Sequence, residues 1–413
     1  MRQSTFPIKT LKESPKDEKA LNAKLLIRAG FIDKVGAGIY SYLPLGLRVI
    51  QKIENVVREE MGKIGGVELL LPALHPKEYW QKTGRWEKLD VLYKIKAKEN
   101  REYALGPTHE EIVASLAKTL IQSYRDLPLY LYQIQTKFRD EPRAKSGLLR
   151  GREFLMKDLY SFHADEKDLD KYHEKAAKAY ETIFTRSGLR AIRTLASGGT
   201  FSKFSDEFQV QTLQGEDSIF YCGSCNIAKN KEIVKEGERC EKCDGTLEQL
   251  KTEEVGNIFK LGTKYAKPFD LLYQDAQGKK RLVLMGCYGI GISRVMGAVV
   301  EVHHDEAGII WPEEVAPFKI HLLRFKIYDL RFKNEQEKIY KELLTKDVEV
   351  LYDDREEVSD GQKLVEADLI GIPWRVVVSE RTMKEGKVEV KRRGEKENKL
   401  LSLEKLIDEL KSQ

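Results

Sequence analysis

Four of the five cysteines stand in two pairs, Cys222-x-x-Cys225 and Cys240-x-x-Cys243, with 14 residues between them. Each CxxC knuckle can offer two thiolates, and two knuckles complete a tetrahedral zinc site. A zinc closed by four protein ligands is structural rather than catalytic. Reduced, unpaired thiols or a relic site are the alternative. In a reducing compartment such pairs read as metal ligands before disulfides. The fifth, Cys287, stands alone in LMGCYG, as a pocket residue or a small apolar core residue.

Three other constellations could handle anions. Phe138-Arg139-Asp140-Glu141 and Arg150-Gly151-Arg152-Glu153-Phe154 flank a loop that also carries Arg143 and Lys145. An arginine at a strand end presents a planar, always-charged fork suited to phosphate or carboxylate. The same residues also fit a solvated basic hairpin. Gly286-Cys287-Tyr288-Gly289-Ile290-Gly291-Ile292-Ser293-Arg294 lets backbone approach a ligand closely and opens a helix with an arginine. It lacks both the P-loop and the GxGxxG spacing, and helix–sheet packing at glycines explains it equally well. Gly106-Pro107-Thr108-His109-Glu110-Glu111 puts carboxylates in a first helical turn, where the helix dipole favours them. Simple capping by Thr108 reads the same way.

The elements that must hold these residues follow from periodicity and punctuation. Helices are expected over 18–29, 45–62, 108–122 and 165–188. VELLLPAL (67–74) reads as a buried strand. VLYKIK (91–96) and REYALGPT (101–108) read as a hairpin, and strands are expected over 127–141 and from Gly151. Residues 281–303 read as strand, glycine turn and helix. Beyond Pro317, the strands FKIHLLRF, VEVLYD, WRVVVSE and KVEVKRR alternate with helices over 334–345, 361–370 and 402–412, an α/β pattern. Four segments result: a first part (1–221), a small zinc-knuckle insertion carrying the four paired cysteines (222–255), a second part (256–316) and a C-terminal α/β domain (317–413).

The chain has 413 residues, 33% charged and 41% hydrophobic, with formal net charge +5. That balance suits a globular protein and permits nucleic-acid binding without requiring it. No apolar run is long enough for a membrane span, and the N-terminus lacks the core of a signal peptide, so a cytoplasmic protein is expected.

Taken in order, these motifs resemble the signature of class II aminoacyl-tRNA synthetases. Residues 36–74 resemble their first motif, FRDE…GREF the second and GIGISR the third. The wording TGRW (83–86), GPTHEE (106–111), FRDEPR (138–143), REFLMKDLYSFH (152–163) and MGCYGIGISR (285–294) is similar to prolyl-tRNA synthetases of the bacterial type. GQKLVEADLIGIPWRVVVSER resembles that family's anticodon-binding domain. The resemblance implies an α+β catalytic domain with an antiparallel sheet, followed by a three-layer α/β anticodon-binding domain.

The resemblance also implies roles. Arg139 holds the ATP α-phosphate and the proline carboxylate. Glu141 and Phe154 serve the adenosine, with Arg150 and Gln209 on the ATP side, and Arg294 closes over the purine and reaches the γ-phosphate. Thr108 and Glu110 receive the proline ammonium, with His163 and Cys287 beside them. Arg143 meets the tRNA acceptor end. Glu207 and Gln209 lie in a segment that closes over substrate, although this chain has SDEF where the family usually has SHEF. Mg²⁺ accompanies ATP, a homodimer forms through motif one, and tRNA for proline is the partner. Anticodon readers are sought among Asp353, Arg355, Trp374, Arg375, Arg381 and Lys391-Arg392-Arg393, where core packing of Trp374 and a solvated strand end are the alternatives. The span between Glu153 and Gly289 leaves no room for the large editing domain of many bacterial relatives. No editing in cis is therefore expected, and a separate deacylase becomes a candidate partner. Pocket contacts alone discriminate a missing methylene by about 10–200-fold. Rival readings are a threonine, serine or glycine enzyme of the same class, a tRNA-binding regulator without activation chemistry, and a zinc-ribbon nucleic-acid module.

Overall fold

The computed structural model describes residues 1–411 other than 143, 236 and 333, and the Leu330 side chain is also left undescribed. The chain divides into two compact units. One comprises 1–34, 40–52 and 299–413; the other comprises 35–39 and 53–298.

The second unit is built on a nine-stranded sheet. Its strands are β1 (Val67–Glu68), β2 (Leu129–Phe138), β3 (Glu153–His163), β4 (Ala191–Ser197), β5 (Phe204–Gln211), β6 (Asp217–Cys222), β7 (Ile227–Asn230), β8 (Glu248–Gly262) and β9 (Leu284–Gly291). The order is β5-β4-β7-β6-β8-β9-β3-β2-β1, with β5 also pairing β8. Pairing is antiparallel except at β1–β2 and β4–β7. The central ladders set Gly289 opposite Asp158 and Asn257 opposite Gly289, so three strands meet at one level.

Side chains alternate across a strand, and here each face has its own cover. On one face lies α1 (Glu110–Leu120), whose Ile112, Val113 and Ala117 join Tyr160, Phe162, Tyr265 and Cys287 in one apolar cluster. On the other face lies α2 (Glu166–Arg186), capped by Asp165, whose carboxylate accepts from the Asp168 amide. Its Tyr180 and Phe184 pack with Phe208 of β5. Lys157 points to this face and donates to Tyr180 Oη at 2.5 Å and to the Tyr288 carbonyl at 3.0 Å.

Three sequence expectations need correction. VELLLPAL is not one buried strand: Val67 and Glu68 pair with β2, Leu74 pairs with Leu105 in a separate small sheet, and Val67 and Leu70 are 57% and 74% exposed while Leu71 is buried. Edge position, not hydrophobicity, decides their burial. Thr108 does not cap α1. His109 occupies the cap position and supplies no side-chain bond, while the Thr108 hydroxyl donates to Glu110 Oε2 at 2.5 Å. Residues 248–255, read as part of the insertion, begin the fifteen-residue strand β8 at the middle of the sheet. Their lysines and glutamates hid the alternation.

In the first unit, β10 (Ile320–Arg324), β11 (Val350–Asp353), β12 (Trp374–Val378), β13 (Val388–Arg392) and β14 (Lys399–Leu401) form a sheet in the order β11-β10-β12-β13-β14. The first three strands are parallel and the last two antiparallel. Helices Glu335–Thr345, Asp360–Ile370 and Leu403–Lys411 connect or follow them. The mixed α/β architecture agrees with the expected fold class.

Candidate active site

Two adjoining cavities open on the α1 face of the large sheet. The first, about 390 Å³, is lined by Arg139, Glu141, Arg150, Phe154, Arg294 and a group of carboxylates, Glu216, Asp217, Glu253 and Glu254. The second, about 180 Å³, is lined by Thr108, Glu110, Met156, Asp158, Phe201 and Cys287, among others. Arg139, Phe154, Glu254 and Arg294 belong to both. Strand alternation explains the grouping. Phe154, Met156 and Asp158 are every second residue of β3, and Cys287, Gly289 and Gly291 every second residue of β9. A Cβ at Gly289 would sit 3.8 Å from Met156 Sδ, an ordinary contact. That glycine therefore enlarges the cavity and is not required by packing.

Arg139 directly follows β2, at the junction of the cavities. Its Cζ lies 5.0 Å from the Phe154 ring centre, and Nη2 makes only a 3.5 Å contact with the Pro107 carbonyl. Among the described residues no carboxylate pairs with it. Burial, then the nearby Arg294 cation, pushes its pKa below the ordinary arginine range. A cation left uncompensated in this way favours an anionic ligand. Arg294 is held instead: Nη1 donates to the Glu254 carbonyl at 2.6 Å and to its carboxylate at 3.1 Å. The neighbouring Ser293 hydroxyl accepts from the Leu155 amide at 2.8 Å, tying the helix start to β3. Arg150 pairs with Glu141 at 2.9 Å and Glu216 at 2.5 Å. Burial raises the Asp217 carboxyl and lifts Glu253 to about 7.

In the second cavity Glu110 is fully buried. It accepts from Thr108 and, at 3.2 Å, from the Cys287 thiol, and its Oε2 lies 3.5 Å from Arg85. Arg85 has its principal partner elsewhere, in Glu111 at 3.0 Å. Glu110 is thus held mainly by two neutral donors, with Arg85 at the edge of hydrogen-bonding range. Below it lies a network that sequence reasoning missed. Lys137, fully buried, reaches Asp158 Oδ1 at 2.7 Å and His109 Nδ1 at 2.8 Å. The Pro72 carbonyl accepts from the ring nitrogens of both His75 and His109 at 3.0 Å. Burial lowers these imidazoles to about 4 and about 3, so both are neutral near pH 7. Burial alone would raise Asp158; Lys137, His109 and Gln133 outweigh it and hold the carboxyl below its usual range. The visible signal was charge inside the strand segments, Lys137 in β2 and Lys157-Asp158 in β3.

The remaining expected residues fall as follows. Cys287 lines the second cavity. His163 lines neither cavity: it is buried, bonded to Asp168 at 2.6 Å and Ser161 at 2.8 Å, and packed against Tyr130 and Tyr172. Its place at the far end of β3 makes it a core histidine. Gln209 also stands behind the wall, donating to Glu207 at 2.7 Å and to the lining residue Asp217 at 3.2 Å. Burial and then Glu254 raise Glu207 to about 7. Arg143 lies outside the described residues.

The four paired cysteines converge, with all sulfurs within 4.8 Å of one another and Cys222 and Cys243 at 3.6 Å. Zinc–sulfur bonds of about 2.3 Å at tetrahedral angles require sulfurs about 3.8 Å apart, so the cluster has the right span. The backbone amides of Lys242 and Cys243 bring the Cys240 thiol down to about 7.

In the smaller sheet, Asp353 is buried and paired with Arg355 at 2.6 Å. Trp374 is 3% exposed in the core, so it is not a surface reader. Arg375, Arg381, Arg392 and Arg393 pair with Asp368, Glu389, Glu313 and Asp305. A cavity of about 360 Å³ gathers Arg324, Lys326, Tyr328, Arg355 and Lys363. Four of these, Arg324, Lys326, Tyr328 and Lys363, escaped the sequence reading.

Two family models match the chain. Residues 93–303 match the model described as tRNA synthetase class II core domain (G, H, P, S and T), and residues 315–413 match the anticodon binding domain. A proline–tRNA ligase of Ehrlichia ruminantium (strain Gardel) is 40% identical over 428 residues, covering 100% of both chains. The chain belongs to the proline–tRNA ligases. As a proline–tRNA ligase it is a class II aminoacyl-tRNA synthetase. A ligase of this family from Anaeromyxobacter sp. (strain Fw109-5) is 36% identical, covering 98% of this chain and 97% of its own. That alignment runs over 559 residues, well beyond the 413 here, so this ligase is a short form. The fold is also that of Giardia lamblia prolyl-tRNA synthetase in complex with prolyl-adenylate, at TM-score 0.79 and 21% identity, covering 94% of this chain and 75% of that one. Among the described residues no helix of the ligase is long and apolar enough to cross a membrane.

Proposed function

We propose that the first cavity takes ATP and the second takes proline, and that the two react across Arg139. The uncompensated guanidinium at their junction carries this reading. In the first step the proline carboxylate attacks the α-phosphorus of ATP, forming prolyl-adenylate and releasing pyrophosphate. The nucleophile is already ionised, so no general base is needed. Positioning and charge neutralisation carry the step. Arg139 can span the attacking carboxylate and the α-phosphate with one planar fork. Phe154 offers a face for adenine stacking, Glu141 and Arg150 border the nucleotide, and Arg294 reaches the distal phosphates. Glu110 takes the secondary ammonium, and Thr108 fixes the carboxylate's orientation. In the second step the tRNA 3′ end displaces AMP and carries proline away.

Mg²⁺ accompanies the nucleotide. Glu253, Glu254 and Asp217 would help hold it, and the raised carboxyl pKa values of Asp217 and Glu253 in that crowded group fit a cation. Bound there, it neutralises phosphate charge. Zinc would be held by Cys222, Cys225, Cys240 and Cys243 as a structural ion. The exposed Val67 and Leu70, in the segment resembling motif one, suit a homodimer interface. The Arg324–Tyr328 cavity suits unpaired anticodon bases, with a stackable ring beside fixed cations. Cytoplasmic location follows from the role in translation. Short length supports the absence of editing in cis and the need for a separate deacylase. Hydrolysis of alanyl-tRNA for proline by this chain would count against that reading.

ATP–pyrophosphate exchange across a panel of amino acids tests the central claim. Exchange with proline is expected. Exchange with threonine and not proline would overturn the specificity, and exchange with none would overturn the activation chemistry.

A further inference from the structure

Glu110 opens α1, and the residue before it, His109, is held on three sides. Its side chain makes no capping bond, and a buried backbone N–H needs an acceptor from somewhere. Tyr160 of β3 supplies one: the His109 amide donates to Tyr160 Oη at 3.0 Å. The Pro72 carbonyl can only accept, so His109 Nε2 donates to it at 3.0 Å. The neutral ring then accepts at Nδ1 from Lys137 Nζ at 2.8 Å. Gly106, in the turn before the helix, leaves no slack: a Cβ there would meet His75 at 2.7 Å and His109 Cε1 at 3.0 Å.

Tyr160 passes this hold on to the sheet. Its hydroxyl donates to Asp158 Oδ2 at 2.9 Å, and Gln133 Nε2 donates to the same oxygen at 2.9 Å. Lys137 stands 2.7 Å from Oδ1 as the counter-charge. Asp158 and Glu110 both line the second cavity, but the local cations divide unequally. Lys137 answers Asp158 and Arg85 answers Glu111, at 2.7 and 3.0 Å, while Arg85 comes no nearer than 3.5 Å to Glu110. Tyr160 lines neither of the first two cavities and is 1% exposed. It can therefore reach a substrate only through the groups it holds.

We propose that Tyr160 is a positioning residue for the proline amine. The relay Lys137–Asp158–Tyr160–His109 fixes the start of α1, so that Glu110, the carboxylate with no close cation of its own, is already aimed at the secondary ammonium. Small errors in such placement are costly, because a preset geometry carries much of the binding and rate. This role rests on the reading of Glu110 as the amine's partner.

ATP–pyrophosphate exchange is measured against proline, at saturating ATP, for the parent, Tyr160→Phe, Glu110→Gln and the double variant. Tyr160→Phe removes one oxygen and keeps the ring in its cluster with Ile112 and Val113; a single cooperative thermal transition checks that it is folded. Its kcat/KM for proline should fall at least about fivefold, the loss of an unmet buried amide, with the KM for ATP within about twofold of the parent. In the Glu110→Gln background the same substitution should cost less than about twofold, because nothing remains to be positioned. Gln133→Met, which removes another donor to Asp158 from outside the cavities, repeats the cycle independently of the Tyr160 ring. A loss of equal size in both backgrounds, or Tyr160→Phe within about twofold of the parent, overturns the role of Tyr160 while Glu110→Gln keeps its own loss for proline. A Glu110→Gln variant at the parental kcat/KM overturns the reading of the cavity, and this role with it.

Discussion

Glu110→Gln isolates the charge that selects the proline amine. The side chain keeps its shape, and Arg85 keeps its main partner, Glu111, at 3.0 Å. Thr108 and Cys287 both donate to Glu110, at 2.5 and 3.2 Å. An amide can accept through only one atom, so one of these contacts turns donor against donor. The larger loss is the ion pair with the secondary ammonium. Truncating one partner of a buried charge pair costs about 2–5 kcal/mol. A charge removed without loss of volume belongs toward the lower half, about 2–4 kcal/mol, or roughly 30- to 1,000-fold in kcat/KM for proline. Exchange rates measured against proline concentration at saturating ATP read this directly. The KM for ATP should move less than about twofold, because Glu110 lies outside the nucleotide cavity. Thermal unfolding should stay close to the parent. A kcat/KM for proline within about threefold of the parent, in a folded variant, would refute the assignment. So would an equal loss for ATP and proline, which would show a disturbed scaffold instead.

Arg139→Lys keeps a charge but loses the fork. Loss of a transition-state donor costs about 2.7–4 kcal/mol, so kcat for exchange should fall about 100- to 1,000-fold; a drop under about tenfold would exclude a shared contact with both reactants. Metal analysis should find one zinc per chain, lost in Cys240→Ser along with several degrees of thermal stability; full stability without zinc would leave the thiols unliganded. Glu253 rises from 4.5 to about 7 on folding. The folded state then holds the proton more tightly, so this group's contribution to stability is lost as pH rises from about 4.5 to 7. Glu253→Gln should therefore flatten the decline in denaturant midpoint over that window and be the more stable form at about pH 8, whereas parallel pH profiles would contradict the raised value.

Most of the elements were legible because their punctuation was local. Asp165 caps the helix it precedes, and the apolar run of β9 leads straight into its helix. The arginine fork and the cysteine pairs could be read for the same reason, since spacing alone fixes what chemistry they can share. Errors arose where burial depends on partners distant in sequence. Leu70 looks like core by composition and is 74% exposed because no strand lies beyond that edge among the described residues. His163 looked like a pocket residue by its neighbours in sequence, yet its position at the opposite end of β3 from Glu153 carries it away from the cleft.

The sequence by itself determined the reacting chemistry, because a planar cation, a carboxylate and four thiolates keep their properties in any fold. Only the tertiary structure decided which of the many charges act. Lys137, Asp158 and His109 lie far apart in the chain, and the lysine comes within 2.8 Å of both partners. In a buried site the desolvation cost of each charge depends on the others present, and that sum exists only once the strands have paired.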